Sequence, residues 1–83
     1  MKTFLSSKAH NQLNKVPRRM HELLLSRIEK LANNPFPVSS KKLTNREGWR
    51  IRVGDYRILF SVEVKKKEII ILSVAHRKEA YRF

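Results

Sequence analysis

Three arginines flank the Gly54-Asp55 pair, as Trp49-Arg50-Ile51-Arg52-Val53 before it and Tyr56-Arg57-Ile58-Leu59-Phe60 after it. A forked guanidinium offers donors matched to phosphate, so closely spaced arginines can clamp a phosphodiester and hold the charge that builds on it. Farther on stands His76-Arg77-Lys78, followed by Tyr81-Arg82. A histidine can move a proton near neutral pH, and a tyrosine can stack on a base or donate from its hydroxyl. His10 and His21 fall in helical patterns without carboxylate or cysteine neighbours at ligand spacing, so no metal site and no cofactor is expected. No Gly-rich phosphate loop is present either.

The elements that must position these residues follow from periodicity. Residues 2–5 suit a short strand. Ser6 or Ser7 can cap a helix reaching about Val16, with Ala9, Leu13 and Val16 on one face. Pro17 fits the first turn of a second helix in which Met20, Leu23, Leu24, Ile28 and Leu31 recur at helical spacing. Asn33-Asn34, Pro35 and Pro37 stop it, since proline breaks the hydrogen-bond ladder and disfavours helix in the residue before it. A polar loop is expected from there to about Arg46.

From Glu47 the period becomes two, and a hairpin is expected. With Gly54 and Asp55 as central turn residues, Val53 opposes Tyr56, Arg52 opposes Arg57, Ile51 opposes Ile58 and Trp49 opposes Phe60. Those apolar residues then share one face, while Arg50, Arg52 and Arg57 share the other. Two guanidinium groups directly across a sheet repel by a few tenths of a kcal/mol to about 1 kcal/mol, and an anion on that face would turn the repulsion into a clamp. Lys65, Lys66 and Lys67 look like the tip of a second hairpin. The run Glu68–Ala75 is apolar on both faces, as a central strand covered on each side would be, and residues 76–83 read as a polar tail. The order β-α-α-β-β-β implies an α+β domain, with two N-terminal helices on a small twisted, mainly antiparallel sheet.

Bulk composition narrows the partners. Eighty-three residues make one domain (1–83) with a modest core, and the absence of cysteine removes disulfides and thiolate zinc sites as supports. Nineteen Lys and Arg against seven Asp and Glu give a net charge of +12, which points to a polyanion such as nucleic acid. The sequence has neither a signal-peptide pattern nor a run of membrane-spanning length, so a cytoplasmic protein is expected, with no membrane partner.

The segments Trp49-Arg50-Ile51-Arg52-Val53-Gly54-Asp55-Tyr56-Arg57-Ile58-Leu59-Phe60 and Ile71-Leu72-Ser73-Val74-Ala75-His76-Arg77-Lys78-Glu79-Ala80-Tyr81-Arg82 resemble the C-terminal half of the RelE/ParE toxin superfamily. Length, element order and basicity agree over the remainder. In the RelE branch, the resemblance implies a metal-independent endoribonuclease of type II toxin–antitoxin systems. Such a toxin cuts messenger RNA on the ribosome by attack of the 2′-hydroxyl, leaves a 2′,3′-cyclic phosphate, and is silenced by a RelB-like antitoxin. Arg52 and Arg57 would then stabilise the phosphorane, Arg77 would stabilise charge or assist the leaving group, and Tyr81 would stack or help move the proton. Arg50, Lys41, Lys42, Arg46, Lys78 and Arg82 would bind RNA. Where well-known members carry lysines on the second strand, this chain has Arg50 and Arg52, which hold their protons too tightly to shuttle them. The proton acceptor therefore stands open between Tyr81 and His76. The ParE branch shares the fold but binds DNA gyrase and performs no RNA chemistry, and a member that has lost turnover is a third reading.

Overall fold

The computed structural model describes residues 1–36, 40–44 and 47–80. Pro37 and the end of the tail, 81–83, lie outside them. The order is β1 (Lys2–Leu5), α1 (Ser7–Lys15), α2 (Arg18–Asn33), β2 (Lys41–Lys42), β3 (Trp49–Val53), β4 (Tyr56–Glu63), β5 (Glu68–His76) and α3 (Arg77–Ala80). The strands form one sheet in the order β1-β5-β4-β3-β2, parallel between β1 and β5 and antiparallel elsewhere. Two elements exceed the sequence reading. Within the expected loop, Lys41 and Lys42 pair with Arg50 and Trp49 as an edge strand, and the tail opens with a helical turn.

Helix α1 begins where the Ser6 hydroxyl accepts the Ala9 backbone N–H at 3.0 Å, the side-chain cap that satisfies an otherwise orphaned donor. The same hydroxyl donates to the Leu72 carbonyl at 2.9 Å, and Gln12 Oε1 accepts the Val74 N–H at 2.7 Å. The β1 ladder on β5 ends at Leu5–Ile71. Helix α1 therefore takes over the backbone groups of β5 beyond that point, which fixes the helix against the sheet. Helix α2 buries Leu24, Ile28 and Leu31. Leu23, expected on the same face, is 41% exposed: the buried stripe follows Leu24, Ile28 and Leu31, and Leu23 sits off its edge.

The core joins Ala9, Leu13, Leu24, Ile28 and Leu31 to Ile51, Val53, Ile58, Phe60, Ile69, Ile71 and Val74. Each fully buried large aliphatic or Phe side chain contributes about 1.5–3 kcal/mol relative to exposure. The β3–β4 register is the one implied by the turn arithmetic, Arg52 against Arg57 included. Gly54 takes φ 59°, the positive value that a primed hairpin turn requires and glycine adopts without strain.

The double-sided apolarity of β5 has a different cause from the one expected. A β-bulge interrupts the β4–β5 register between Leu59 and Phe60: Phe60 pairs with Ile71, but Leu59 pairs with Ser73. Leu72 is the extra residue, and the alternation changes phase there. Ile69 and Ile71 before the bulge, and Val74 after it, all belong to the core cluster on the helix-bearing face. The run thus reads as apolar on both faces while α1 and α2 cover only one.

Candidate nucleic-acid interface

The face of the sheet opposite α1 and α2 is laid out by the strand register. Arg52, Arg57 and Ala75 form one row across β3, β4 and β5, and Lys41, Arg50, Leu59 and Ser73 form the next. Directly opposed Cβ atoms in such rows lie about 4.5–5.5 Å apart. Lys41, Arg50, Ile51, Arg52 and Arg57 surround a cavity of about 110 Å³, large enough for a phosphate group but not for a folded ligand. Arg50 and Arg57 are half-buried, whereas Lys41 and Arg52 are exposed. Four cations about one small cavity, two of them fixed across a hairpin, make an anion seat suited to a phosphate, whose charge offsets their mutual repulsion.

A third row runs from Ser61 through Ile70 to Phe4, and it is largely apolar. Phe4 is 46% exposed. Gly48 has φ 129°, and a Cβ there would lie 3.0 Å from the Phe60 carbonyl oxygen and 3.1 Å from Leu43 Cδ1, with Leu72 Cδ1 at 3.8 Å. Glycine at this position lets Leu43 and Leu72 close over the start of β3. The Leu43 N–H also donates to the Gly48 carbonyl at 3.0 Å, so the two-residue β2 is anchored from both its backbone and its neighbour's side chain.

His76 is not in this seat. It pairs with Tyr56, on the side of the sheet that carries the helices, and the two rings meet edge to face with centroids 5.3 Å apart. A separate cavity of about 130 Å³ beside α1 is lined by Gln12, Lys15, Val16, Tyr56, Val74 and His76. The His76 Nδ1 accepts the Lys78 backbone N–H at 3.3 Å, and the Arg77 N–H donates to the Asp55 carbonyl at 2.6 Å. An accepting Nδ1 requires the tautomer with its proton on Nε2. The first bond ties α3 to the end of β5 and the second ties it to the Gly54 hairpin, which places Arg77 and Lys78, both exposed, beside the end of the sheet that carries Arg52 and Arg57. Replacing His76 with alanine should remove a cap of about 1 kcal/mol and speed hydrogen exchange at the Lys78 amide roughly fivefold, whereas asparagine, whose amide oxygen accepts in the same way, should preserve protection. Equal exchange in both variants and the parent would show that the ring does not hold the tail.

Lys42 pairs with Trp49 and so projects away from the anion seat. Arg46, Tyr81 and Arg82 lie outside the described residues. Among the described residues no three His, Asp or Glu side chains gather as a metal-binding group, and no helix is long and apolar enough to cross a membrane. Lys41 is among the RNA-binding residues expected from the resemblance, but its strand and its row beside Arg50 could not be read from the sequence: a two-residue strand gives no periodicity, and only its register with Arg50 brings the lysine in.

A family model described as the ParE toxin of the type II toxin–antitoxin system parDE matches residues 4–81. The chain belongs to the RelE/ParE toxin superfamily of type II toxin–antitoxin systems. The toxin fold is shared with solved structures. The chain is 26% identical to one in a RelBE toxin–antitoxin complex from Mycobacterium tuberculosis, covering 92% of this chain and 96% of that one with a TM-score of 0.80. A chain of the RelE–RelB complex from Pyrococcus horikoshii is 26% identical over 92% of this toxin and 93% of its own length, at a TM-score of 0.78. One in the RelB–RelE complex from Methanococcus jannaschii is 28% identical over 95% of each, at 0.77. No curated protein matches the sequence significantly.

Proposed function

We propose that this toxin is a ribosome-dependent, metal-independent endoribonuclease that cleaves messenger RNA in the cytoplasm and thereby inhibits translation, and that a RelB-like antitoxin restrains it. The observation that carries the reading is the convergence of Lys41, Arg50, Arg52 and Arg57 about one phosphate-sized cavity on a sheet face that α1 and α2 leave open. In-line attack by a 2′-hydroxyl on the adjacent phosphate builds negative charge on the phosphoryl oxygens, and fixed cations around that position stabilise it more in the transition state than in the ground state. Arg52 and Arg57 hold that charge. Arg50 with Lys41 and Lys78 steer and hold the RNA; by family resemblance Arg46 and Arg82 add to that binding, and Lys42, which projects away from the seat, contributes only long-range attraction. By family resemblance Arg77, exposed at the start of α3, stabilises the leaving group, and Tyr81 stacks on a base. His76, across the sheet, is given no proton-transfer step.

The rival reading is gyrase binding without RNA chemistry, favoured by the description of the matching family model. Purified toxin added to cell-free translation, followed by primer extension on the message and end-group analysis, separates the two. Cuts within translated codons, ending in a 2′,3′-cyclic phosphate or its 3′-phosphate product and persisting in EDTA with ribosomes kept intact, are expected. Products with a 3′-hydroxyl would sink the mechanism, and intact message with inhibited gyrase would establish the rival.

A further inference from the structure

We propose that Lys41 is the general acid of this toxin, donating its ammonium proton to the leaving 5′-oxygen. The inference rests on the ribonuclease reading and adds to it a residue for the step that the three arginines cannot perform. A guanidinium holds its proton too tightly to pass it on, so Arg50, Arg52 and Arg57 can hold charge but are poor at giving up a proton. Among the described residues, the cavity they share is lined by no carboxylate, histidine or tyrosine. Tyr56 and His76 pair with each other on the other side of the sheet. Among the described lining residues, Lys41 is the one that carries an ammonium group, three N–H donors on a flexible stem.

Its placement is built into the fold. Lys41 pairs with Arg50, in the row adjoining Arg52 and Arg57. Strand β2 is only two residues long, yet it is held in register by the Leu43-to-Gly48 backbone bond and by the Leu43 side chain seated over Gly48. The family's lysines on the strand that here carries Arg50 and Arg52 are absent, and the neighbouring strand delivers a lysine into the same cavity from the sheet edge.

The step balances. The 2′-oxygen bonds to phosphorus, the bond from phosphorus to the 5′-oxygen breaks, and the Lys41 proton passes to that oxygen as it leaves. The 2′-hydroxyl proton goes to water, and Lys41 is reprotonated from water, so charge and proton count return to their starting values.

The test uses intact toxin and ribosomes programmed with a message whose scissile 5′-oxygen is replaced by sulfur, because a thiolate leaves without needing a proton. Lys41→Arg keeps the charge and loses the transferable proton. It should cut the ordinary message about 10²-fold more slowly, the scale for losing one acid–base group, with KM little changed, and it should cut the sulfur-substituted message within a few-fold of the parent. Lys41→Ala should show the same rescue from a lower starting point. A Lys41→Arg toxin that cuts the ordinary message at the parent rate, or one equally impaired on both messages, overturns the assignment and leaves Lys41 a binding residue or a bystander. If the parent toxin cuts neither message, the ribonuclease reading itself fails, and the assignment of Lys41 with it.

Discussion

Replacing Arg57 with alanine is expected to lower message cleavage by about 10²-fold or more, the scale for removing one preorganised stabiliser of transition-state charge, without unfolding the toxin. Arg57 sits on the second strand of the hairpin, opposite Arg52, half-buried in the wall of the anion seat. Arg57 is not among the core side chains, so the melting temperature should fall by far less than the rate does. That divergence marks a residue that serves a site and not the core. Arg77→Ala should lose activity on a similar scale, because its backbone is fixed to Asp55 at the hairpin end that carries Arg52 and Arg57. Lys66 provides the contrast: it lies in the turn between β4 and β5, at the end of the sheet away from Gly54. Lys66→Ala should change cleavage little. Rates measured on programmed ribosomes, with melting curves for each variant, check the pattern, and equal losses at Arg57, Arg77 and Lys66 would mean that bulk charge drives activity.

The seat was legible in the sequence where a rule of strict period applied. A two-residue hairpin turn at Gly54-Asp55 dictates its own register, so the opposition of Arg52 and Arg57 follows from counting. The amphipathic stripes of α1 and α2 likewise place Ala9, Leu13, Leu24, Ile28 and Leu31 in the core. Counting fails where period fails. The bulge at Leu72 changes the phase of β5 midway, so the residues that face the core fall at both parities, Ile69 and Ile71 before it and Val74 after it. Lys41–Lys42 is too short to have a period at all, and its pairing depends on Gly48, whose close contacts with Leu43 and the Phe60 carbonyl appear only in three dimensions. His76 ends β5 on the parity of Tyr56, and the same phase change at the bulge determines which side of the sheet it takes. A sequence that puts histidine next to arginine does not put them on one face: His76 is the last residue of β5, while Arg77 already begins α3.

An acidic, partly apolar antitoxin segment should bind this toxin tightly, raise its melting temperature, and on co-expression relieve growth arrest. The toxin's open face grades from the Arg52–Arg57 row through Lys41 and Arg50 to the apolar row of Ile70 and Phe4, with Leu43 and Leu72 beside Gly48. A carboxylate at the first end and an aliphatic or aromatic anchor at the other would satisfy both halves at once, and the anchor would cover a Phe4 ring that is nearly half exposed. Net charge of +12 on 83 residues repels itself, and an acidic chain relieves that repulsion while speeding encounter. The domain is also small, so its stability responds strongly to mass action. Partner at about 100 times Kd adds roughly 2.7 kcal/mol, and a domain of this size gains about 4–8 °C for each kcal/mol, which gives an expected rise on the order of 10–20 °C by differential scanning fluorimetry. The rise should shrink in high salt, as long-range attraction is screened, without vanishing, because the apolar row is insensitive to ionic strength. Phe4→Ala should weaken the salt-resistant part, and Arg52→Ala the salt-sensitive part. A melting temperature unmoved by any partner encoded beside the toxin gene, together with harmless expression of the toxin alone, would remove the basis for a restrained toxin.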